Sequence, residues 1–79
     1  MKARVYVTLK PGVLDPQGKA IESSLHSLGF GGVQEVRMGK YFELTLATAD
    51  PKEAQAELGR MCEKLLANTV IESYRVELP

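Results

Sequence analysis

The segment Arg4-Val5-Tyr6-Val7-Thr8-Leu9-Lys10-Pro11-Gly12 decides the fold of this chain. Its first six residues alternate polar with apolar side chains, which is the pattern of a β-strand with one buried face. Lys10-Pro11-Gly12 ends the strand, because proline and glycine favour turns. Asp15-Pro16 follows, and an aspartate N-cap before a proline at the first helical position predicts a helix directly after this strand.

Two helices are predicted outward from that segment. In the first, Ile21, Leu25 and Leu28 recur at helical spacing, and Gly29 ends the helix. The second opens at Asp50-Pro51 with the same N-cap and proline, and Asn68 is its predicted end. Its apolar stripe consists of Ala54, Leu58, Met61, Cys62, Leu65 and Leu66.

Three further strands are predicted, near Val33–Met38, Tyr41–Thr48 and Ile71–Leu78. Gly39-Lys40 separates the first two of these. It forms either a tight hairpin or a glycine bulge in one long bent strand, and we favour the hairpin.

The resulting element order is βαββαβ in a single domain covering residues 1–79. Two right-handed split βαβ units give the α+β class: a ferredoxin-like, four-stranded antiparallel sheet with both helices on one face, in two layers. The other face is too mixed to be purely solvated, so we expect it, or a sheet edge, to be buried in a homodimer. This face carries Arg4, Tyr6, Thr8, Tyr41, Thr45, Ala47 and Ile71.

Composition excludes several classes of function. Ten basic and ten acidic residues give a net charge of zero, whereas a nucleic-acid binder usually has a basic excess. The chain has no apolar run approaching the roughly 20 residues of a membrane helix and no signal-peptide pattern at its start. We therefore expect a soluble cytoplasmic protein with neither a nucleic-acid nor a membrane partner.

The residues that could carry chemistry have simpler explanations. His26, the one histidine, lies off the apolar stripe of the first helix, and Cys62, the one cysteine, lies within the stripe of the second. A surface histidine and a buried, unreactive thiol are therefore expected. Asp15 and Asp50 are explained as helix caps. The sequence predicts no catalytic residue, no metal site and no cofactor site in this chain.

One alternative is a small-molecule sensor of the ACT type. Such domains carry a Pro-Gly-hydrophobic-Leu turn after their first strand, which Pro11-Gly12-Val13-Leu14 resembles. The acidic residue expected before that proline is replaced here by Lys10. Binding of an amino acid in equilibrium dialysis would support this alternative.

Three segments together resemble the PurS family, the small subunit of phosphoribosylformylglycinamidine synthase. They are Leu9-Lys10-Pro11-Gly12-Val13-Leu14-Asp15-Pro16-Gln17-Gly18, Val36-Arg37-Met38-Gly39-Lys40, and Cys62-Glu63-Lys64-Leu65-Leu66-Ala67-Asn68-Thr69-Val70-Ile71-Glu72-Ser73-Tyr74. The resemblance covers essentially the whole chain. Thr69 departs from the family, which often has proline at that position.

The resemblance implies a role in de novo purine synthesis, in an ATP- and glutamine-dependent C–N ligase. It implies a large synthetase subunit, which holds the ATP and magnesium, and a glutaminase subunit that releases ammonia. This chain would join the two without catalytic residues of its own. A homodimer is implied, and a tetramer stays open. We expect the partner contacts at exposed motif positions, namely Lys10, Asp15, Gln17, Arg37, Lys40, Asn68, Glu72 and Tyr74.

Overall fold

A computed structural model describes residues 1–79. The elements in chain order are β1 (Lys2–Leu9), α1 (Pro16–Ser27), β2 (Gly39–Thr45), α2 (Pro51–Met61), a short π-helix (Cys62–Leu66) and β3 (Glu72–Glu77). Neither helix has the length and apolar character needed to cross a bilayer.

The three strands form one antiparallel sheet in the order β2-β1-β3. Tyr6 of β1 lies opposite Tyr41 of β2 and Arg75 of β3, whereas Val5 lies opposite Phe42 and Val76. Since side chains alternate between faces, the first set belongs to an outer face and the second to an inner face. The alternation predicted for β1 therefore also determines which side chains of β2 and β3 lie on the inner face and which lie on the outer face.

The core lies between the inner face and α2. Val5 and Val7 are fully buried, as are Leu58 of α2 and Cys62 of the π-helix. Burial raises the pKa of the Cys62 thiol, because the thiolate would lose its solvation. The prediction of a buried, unreactive cysteine agrees with this position.

Both predicted helix starts are confirmed. Asp15 Oδ1 accepts a hydrogen bond from the Gly18 N–H at 2.8 Å, and Asp50 Oδ1 accepts one from the Lys52 N–H at 3.0 Å. A proline stands in the first turn of each helix. Each cap satisfies an N–H group that has no partner within its helix.

The α+β class and the antiparallel sheet are confirmed, but the sheet has three strands instead of four. Residues 33–38 pair with no strand, and they continue directly into β2. The prediction of a hairpin at Gly39-Lys40 is wrong. A two-residue hairpin turn needs positive φ, and neither residue has it. Gly39 instead allows close strand approach, because a Cβ there would press against the Val7 carbonyl oxygen.

The first helix does not join the core as expected. Its only buried residue is Gly18, and no α1 residue belongs to the core cluster. It runs beside residues 33–38, to which it is joined by Asp15 Oδ2, which accepts from the Met38 N–H, and by a 2.7 Å contact between His26 Nε2 and the Val33 carbonyl. We call residues 16–38 the arm.

The arm makes the molecule elongated. The principal extents are 48 × 25 × 14 Å and the radius of gyration is 15.9 Å. A compact domain of this length would have a radius of gyration of about 12 Å. The single chain therefore exposes an unusually large surface to solvent.

Candidate functional site

The three motif segments meet at the end of the sheet where β1 finishes. The Lys10 N–H donates to the Ile71 carbonyl at 2.8 Å, which joins the first segment to the third. Arg37 Nη2 donates to the Lys10 carbonyl at 3.3 Å, which joins the second segment to the first. Segments far apart in sequence thus form one surface, which we call the motif surface.

Asp15 anchors the motif surface from within. It is only 5% exposed, and its two carboxylate oxygens accept from the Gly18 N–H at 2.8 Å and from the Met38 N–H at 2.7 Å. These hydrogen bonds, that from Met38 first, lower the pKa of the Asp15 carboxyl because they favour its charged form. Asp15 therefore holds the start of α1 against the chain that enters β2.

Arg37 closes the loop between β1 and α1. Its Nη1 donates to the Val13 carbonyl at 2.9 Å, in addition to the bond from Nη2 to Lys10. A planar guanidinium presents several donors in a fixed fork, so one side chain can bind two carbonyls of a loop. Arg37 holds the loop in the shape that presents Lys10 and Asp15.

Lys40, Glu72 and Asn68 form a polar cluster on the same surface. Lys40 Nζ lies 3.5 Å from Glu72 Oε2, and the Asn68 N–H donates to Glu72 Oε1 at 2.7 Å. The Lys40 side chain is still 53% exposed, whereas that of Glu72 is 14% exposed. An exposed ion pair contributes about 0–1 kcal/mol, so Lys40 is available for a new contact at small cost.

The remaining predicted site residues differ in their surroundings. Gln17 is exposed in the first turn of α1 and, with Lys40, lines an open cleft of about 410 Å³ between α1 and β2. Tyr74 is half-buried on the inner face of β3, and its hydroxyl donates to Glu63 Oε1 at 3.1 Å. That hydrogen bond, followed by burial, raises the pKa of Tyr74. Tyr74 joins β3 to the π-helix.

The outer face of the sheet is a second candidate surface, and its burial in a homodimer stays a prediction. The rings of Tyr6 and Tyr41 have centroids 5.2 Å apart, and the Arg75 guanidinium lies 4.2 Å above the Tyr6 ring. Arg4 Nη1 contacts Glu77 Oε1 at 3.0 Å and lowers the pKa of Glu77. Tyrosine and arginine are enriched at protein interfaces.

The motif surface combines side chains that hold the backbone with side chains that point outward. Its carboxylates and its arginine hold backbone groups, while Gln17 and Lys40 point outward with free hydrogen-bonding capacity. Chemically, such a surface can recognise a partner through hydrogen bonds and charge. The side chains that recognise the partner also keep a fixed geometry, because hydrogen bonds join the loops that carry them.

Comparison with known proteins shows the family of the chain. The model of the PurS family, described as phosphoribosylformylglycinamidine (FGAM) synthase, matches residues 2–79. The chain belongs to the PurS family. A curated relative from Synechocystis sp., named phosphoribosylformylglycinamidine synthase subunit PurS, is 56% identical over 75 residues, covering 95% of this chain and 75% of the relative.

Solved PurS structures share the fold. A crystal form of Bacillus subtilis PurS has a TM-score of 0.87 and 55% identity, covering 96% of this chain and 94% of that chain. A chain of the PurLQS structure from Thermotoga maritima has a TM-score of 0.88 and 32% identity, covering 96% of this chain and 93% of that chain. The ACT-type alternative receives no support from these comparisons.

Two features of the chain were not predicted from its sequence. Gly18 lies close to the Val36 carbonyl oxygen, and a glycine in the first turns of a helix is the sequence signal for such a close approach. The apolar residues Ile21 in α1 and Leu28 at its C-cap stay exposed, at 38% and 72%. The sequence places both on the apolar stripe of the helix and does not show that this stripe stays uncovered.

Proposed function

We propose that this chain is the non-catalytic assembly subunit of phosphoribosylformylglycinamidine synthase, which joins the ATP-dependent synthetase subunit to the glutaminase subunit. The observation that carries the proposal is the match of residues 2–79 to the PurS family, together with a motif surface in which three distant segments are tied together by hydrogen bonds. A rigid domain of this kind can hold two surfaces in register while the partners supply the chemistry.

The physical benefit of such assembly concerns ammonia. Ammonia released by a glutaminase is mostly protonated at neutral pH, and ammonium is a poor nucleophile. A sealed route between the glutaminase and the synthetase keeps the reactive, unprotonated form from escaping. An assembly subunit contributes by holding the two active sites in a fixed relation, and the PurLQS structure from T. maritima contains a chain similar to this one.

Omission of this chain tests the proposal. Glutamine-dependent synthesis by the two partner subunits should be lost without the chain, whereas synthesis from added ammonium should be largely retained. The measurement is the rate of product formation with each nitrogen donor, with and without the chain. Equal loss of both rates would instead indicate a role inside the synthetase active site and would contradict the proposal.

Partner contacts are proposed at the motif surface, with Gln17 and Lys40 making them directly. Lys10, Arg37, Asn68, Glu72 and Tyr74 would contribute where they reach the surface, while Asp15 acts from below by positioning the loop. Lys40→Ala should weaken co-elution with the partner subunits on gel filtration, and Tyr74→Ala should do the same.

Two matched variants control this experiment. Lys52→Ala removes an exposed lysine from the first turn of α2, which lies outside the motif surface, and should leave the complex unchanged. Tyr74→Phe removes only the hydroxyl bound to Glu63, which separates a hydrogen-bonding role from a packing role. Unchanged assembly with both Lys40→Ala and Tyr74→Ala would show that the partners bind elsewhere.

The working unit is proposed to be a homodimer. The exposed apolar side of α1 and the elongated shape support this, because a small domain gains stability by burying such surface against a second copy. Sedimentation equilibrium of the chain alone measures the mass. A monomer at micromolar concentration would contradict the homodimer without affecting the assignment to the synthase.

A further inference from the structure

We propose that Val70 and Leu14 are the apolar anchors through which the motif surface binds the synthetase subunit, and that Lys10 beside them pairs with a carboxylate of that subunit. The inference rests on the proposed function and deepens it, because it names the partner and the side chains of one contact. Neither anchor is among the contact residues predicted from the sequence, although both lie in the motif segments.

Val70 and Leu14 are aliphatic side chains that the single chain leaves in solvent. Val70 is 81% exposed and Leu14 is 69% exposed. Single exposed apolar side chains are common on protein surfaces, so exposure alone assigns no role to them. What distinguishes these two is their position on backbone segments that hydrogen bonds hold in one shape.

The turn that carries Val70 is braced at both ends. The Asn68 carbonyl accepts from the Ile71 N–H at 3.1 Å and from the Glu72 N–H at 2.7 Å. The Asn68 side-chain oxygen accepts from the Val70 N–H at 3.2 Å, and Glu72 Oε1 accepts from the Asn68 N–H at 2.7 Å. Because the turn is already ordered, binding through Val70 costs little conformational entropy.

The loop that carries Leu14 is held in a similar way and is joined to this turn. The Val13 N–H donates to the Lys10 carbonyl at 3.1 Å, and the Arg37 guanidinium binds the carbonyls of both residues. The Lys10 N–H donates to the Ile71 carbonyl of the turn at 2.8 Å. The loop and the turn therefore form one rigid unit, with Lys10 at their junction.

The charge that this unit presents to solvent is positive. Lys10 forms no ion pair within the chain, and the Lys40 side chain is half-exposed. The neighbouring carboxylates are occupied: both oxygens of the buried Asp15 accept from N–H groups, and Glu72 accepts from the Asn68 N–H. A partner that complements this surface presents a carboxylate beside an apolar recess.

Two other occupants fit this surface less well. A two-fold contact between copies centred here would set Lys10 and Lys40 against the same lysines of the second copy, and like charges repel. A membrane surface is recognised through clusters of about four to eight basic residues. Two lysines in a chain of zero net charge fall short of such a cluster.

We assign the recess to the synthetase subunit. Protruding aliphatic side chains need a concave, apolar site, and such sites form preferentially where domains meet. In the proposed function the synthetase is the large subunit, so it offers more such junctions than the glutaminase.

Titration of the chain into the two enzyme subunits measures the contact in the complete complex. The readout is the concentration of chain that gives half-maximal glutamine-dependent synthesis. Val70→Asp and Leu14→Asp each place a charge in the apolar recess and should raise this concentration about a hundred-fold. Val70→Ala only shortens an anchor and should raise it about ten-fold. Ala56→Asp is the matched control, because Ala56 is exposed in α2 outside the motif segments, and it should leave the value unchanged.

A pair of charge reversals tests the role of Lys10. Lys10→Glu should raise the half-maximal concentration about ten-fold at low salt and less at high salt, because dissolved ions screen the charge pair. Lys52→Glu makes the same change of charge at the start of α2 and should have no effect. Equal effects of the two reversals would show that Lys10 has no specific partner.

The outcomes separate the inference from the proposed function beneath it. A wild-type chain that restores no glutamine-dependent synthesis would contradict the proposed function itself. If the wild type restores synthesis and the Val70 and Leu14 variants do so at the same concentration, the anchors are wrong and the proposed function stands. Loss of a wild-type dimer in sedimentation equilibrium of Val70→Asp would assign the surface to a second copy and also overturn the inference.

Cross-linking identifies the partner directly. The native Cys62 is buried, so a Val70→Cys chain can be labelled selectively with a thiol-reactive benzophenone. Irradiation of the assembled complex should join this chain to the synthetase, and the mass of the product identifies the pair. Lys52→Cys, labelled in the same way, should give no such product. A Val70→Cys product with the glutaminase, or with a second copy only, would overturn the assignment to the synthetase.

Discussion

At the scale of single residues, two glycines in helices have opposite roles. A Cβ on Gly18 would overlap the Val36 carbonyl oxygen and the Asp15 carboxylate, whereas a Cβ on Gly59 would meet nothing. Gly18→Ala should therefore lower the free energy of unfolding by about 1–3 kcal/mol through overpacking. Gly59→Ala should raise it by up to about 1 kcal/mol, because alanine is the better helix former.

Urea unfolding of the two alanine variants measures this difference directly. The same substitution in two helices of one protein controls for the general effect of a methyl group. A Gly18→Ala chain as stable as wild type would show that the junction between α1 and residues 36–38 is loose. In that case, the contact between α1 and residues 36–38 would not explain why the arm stays outside the core.

Asp15 links stability to pH. Hydrogen bonds from Met38 and Gly18 lower the pKa of Asp15 in the folded state. The folded protein is therefore more stable with a charged Asp15 carboxylate than with a protonated carboxyl group. Its contribution is fully present above the pKa of the unfolded chain and is lost as the pH falls through the lowered folded pKa. The free energy of unfolding should therefore drop in acid below the ordinary aspartate range.

Asp15→Asn should remove this part of the acid dependence and be less stable than wild type at neutral pH. The amide keeps one acceptor oxygen but turns an NH2 group toward one of the two N–H donors. Urea titrations at a series of pH values, compared with Asp50→Asn at the other helix cap, measure the effect. An unchanged acid slope for Asp15→Asn would assign the dependence to another group.

At the scale of elements, residues 33–38 continue directly into β2 but have a different environment. Residues 39–45 pair with β1, whereas residues 34–37 have no backbone acceptors in the single chain. In a dilute sample, where the proposed homodimer dissociates, the amides of residues 34–37 should exchange as quickly as those of a solvated loop. In a concentrated sample their exchange should be slower, since local protection follows hydrogen bonding and burial.

Peptide-resolved exchange at low and high protein concentration provides this comparison. The amides of β1, which is paired on both sides, are the internal reference and should stay protected in both samples. Equal, fast exchange of residues 34–37 at both concentrations would show that the second copy does not protect these residues.

At the scale of the whole molecule, stability should depend on protein concentration. The proposed homodimer forms from folded chains only, so mass action raises the melting temperature as the protein concentration rises. Differential scanning calorimetry of dilute and concentrated samples measures this shift. A melting temperature that does not change with concentration would contradict the homodimer.

The order of helices and strands could be read from local patterns. Alternation in β1 and the Asp-Pro caps at residues 15–16 and 50–51 are short-range signals, and the structure places the sheet and both helix starts accordingly. The gathering of Lys40, Asn68 and Glu72 into one cluster was not readable from spacing. It follows from strand order, which brings the starts of β2 and β3 to the same end of β1.

By itself, the sequence determined the α+β class, the helix caps, the buried cysteine and the three motif segments, because each depends on neighbours within a few residues. Only the tertiary structure decided that residues 33–38 leave the sheet and that α1 stays outside the core. Those outcomes depend on contacts across the chain, between Asp15 and Met38 and between Gly39 and Val7. A hydrophobic stripe states that a surface must be buried, and it does not state which chain will cover it.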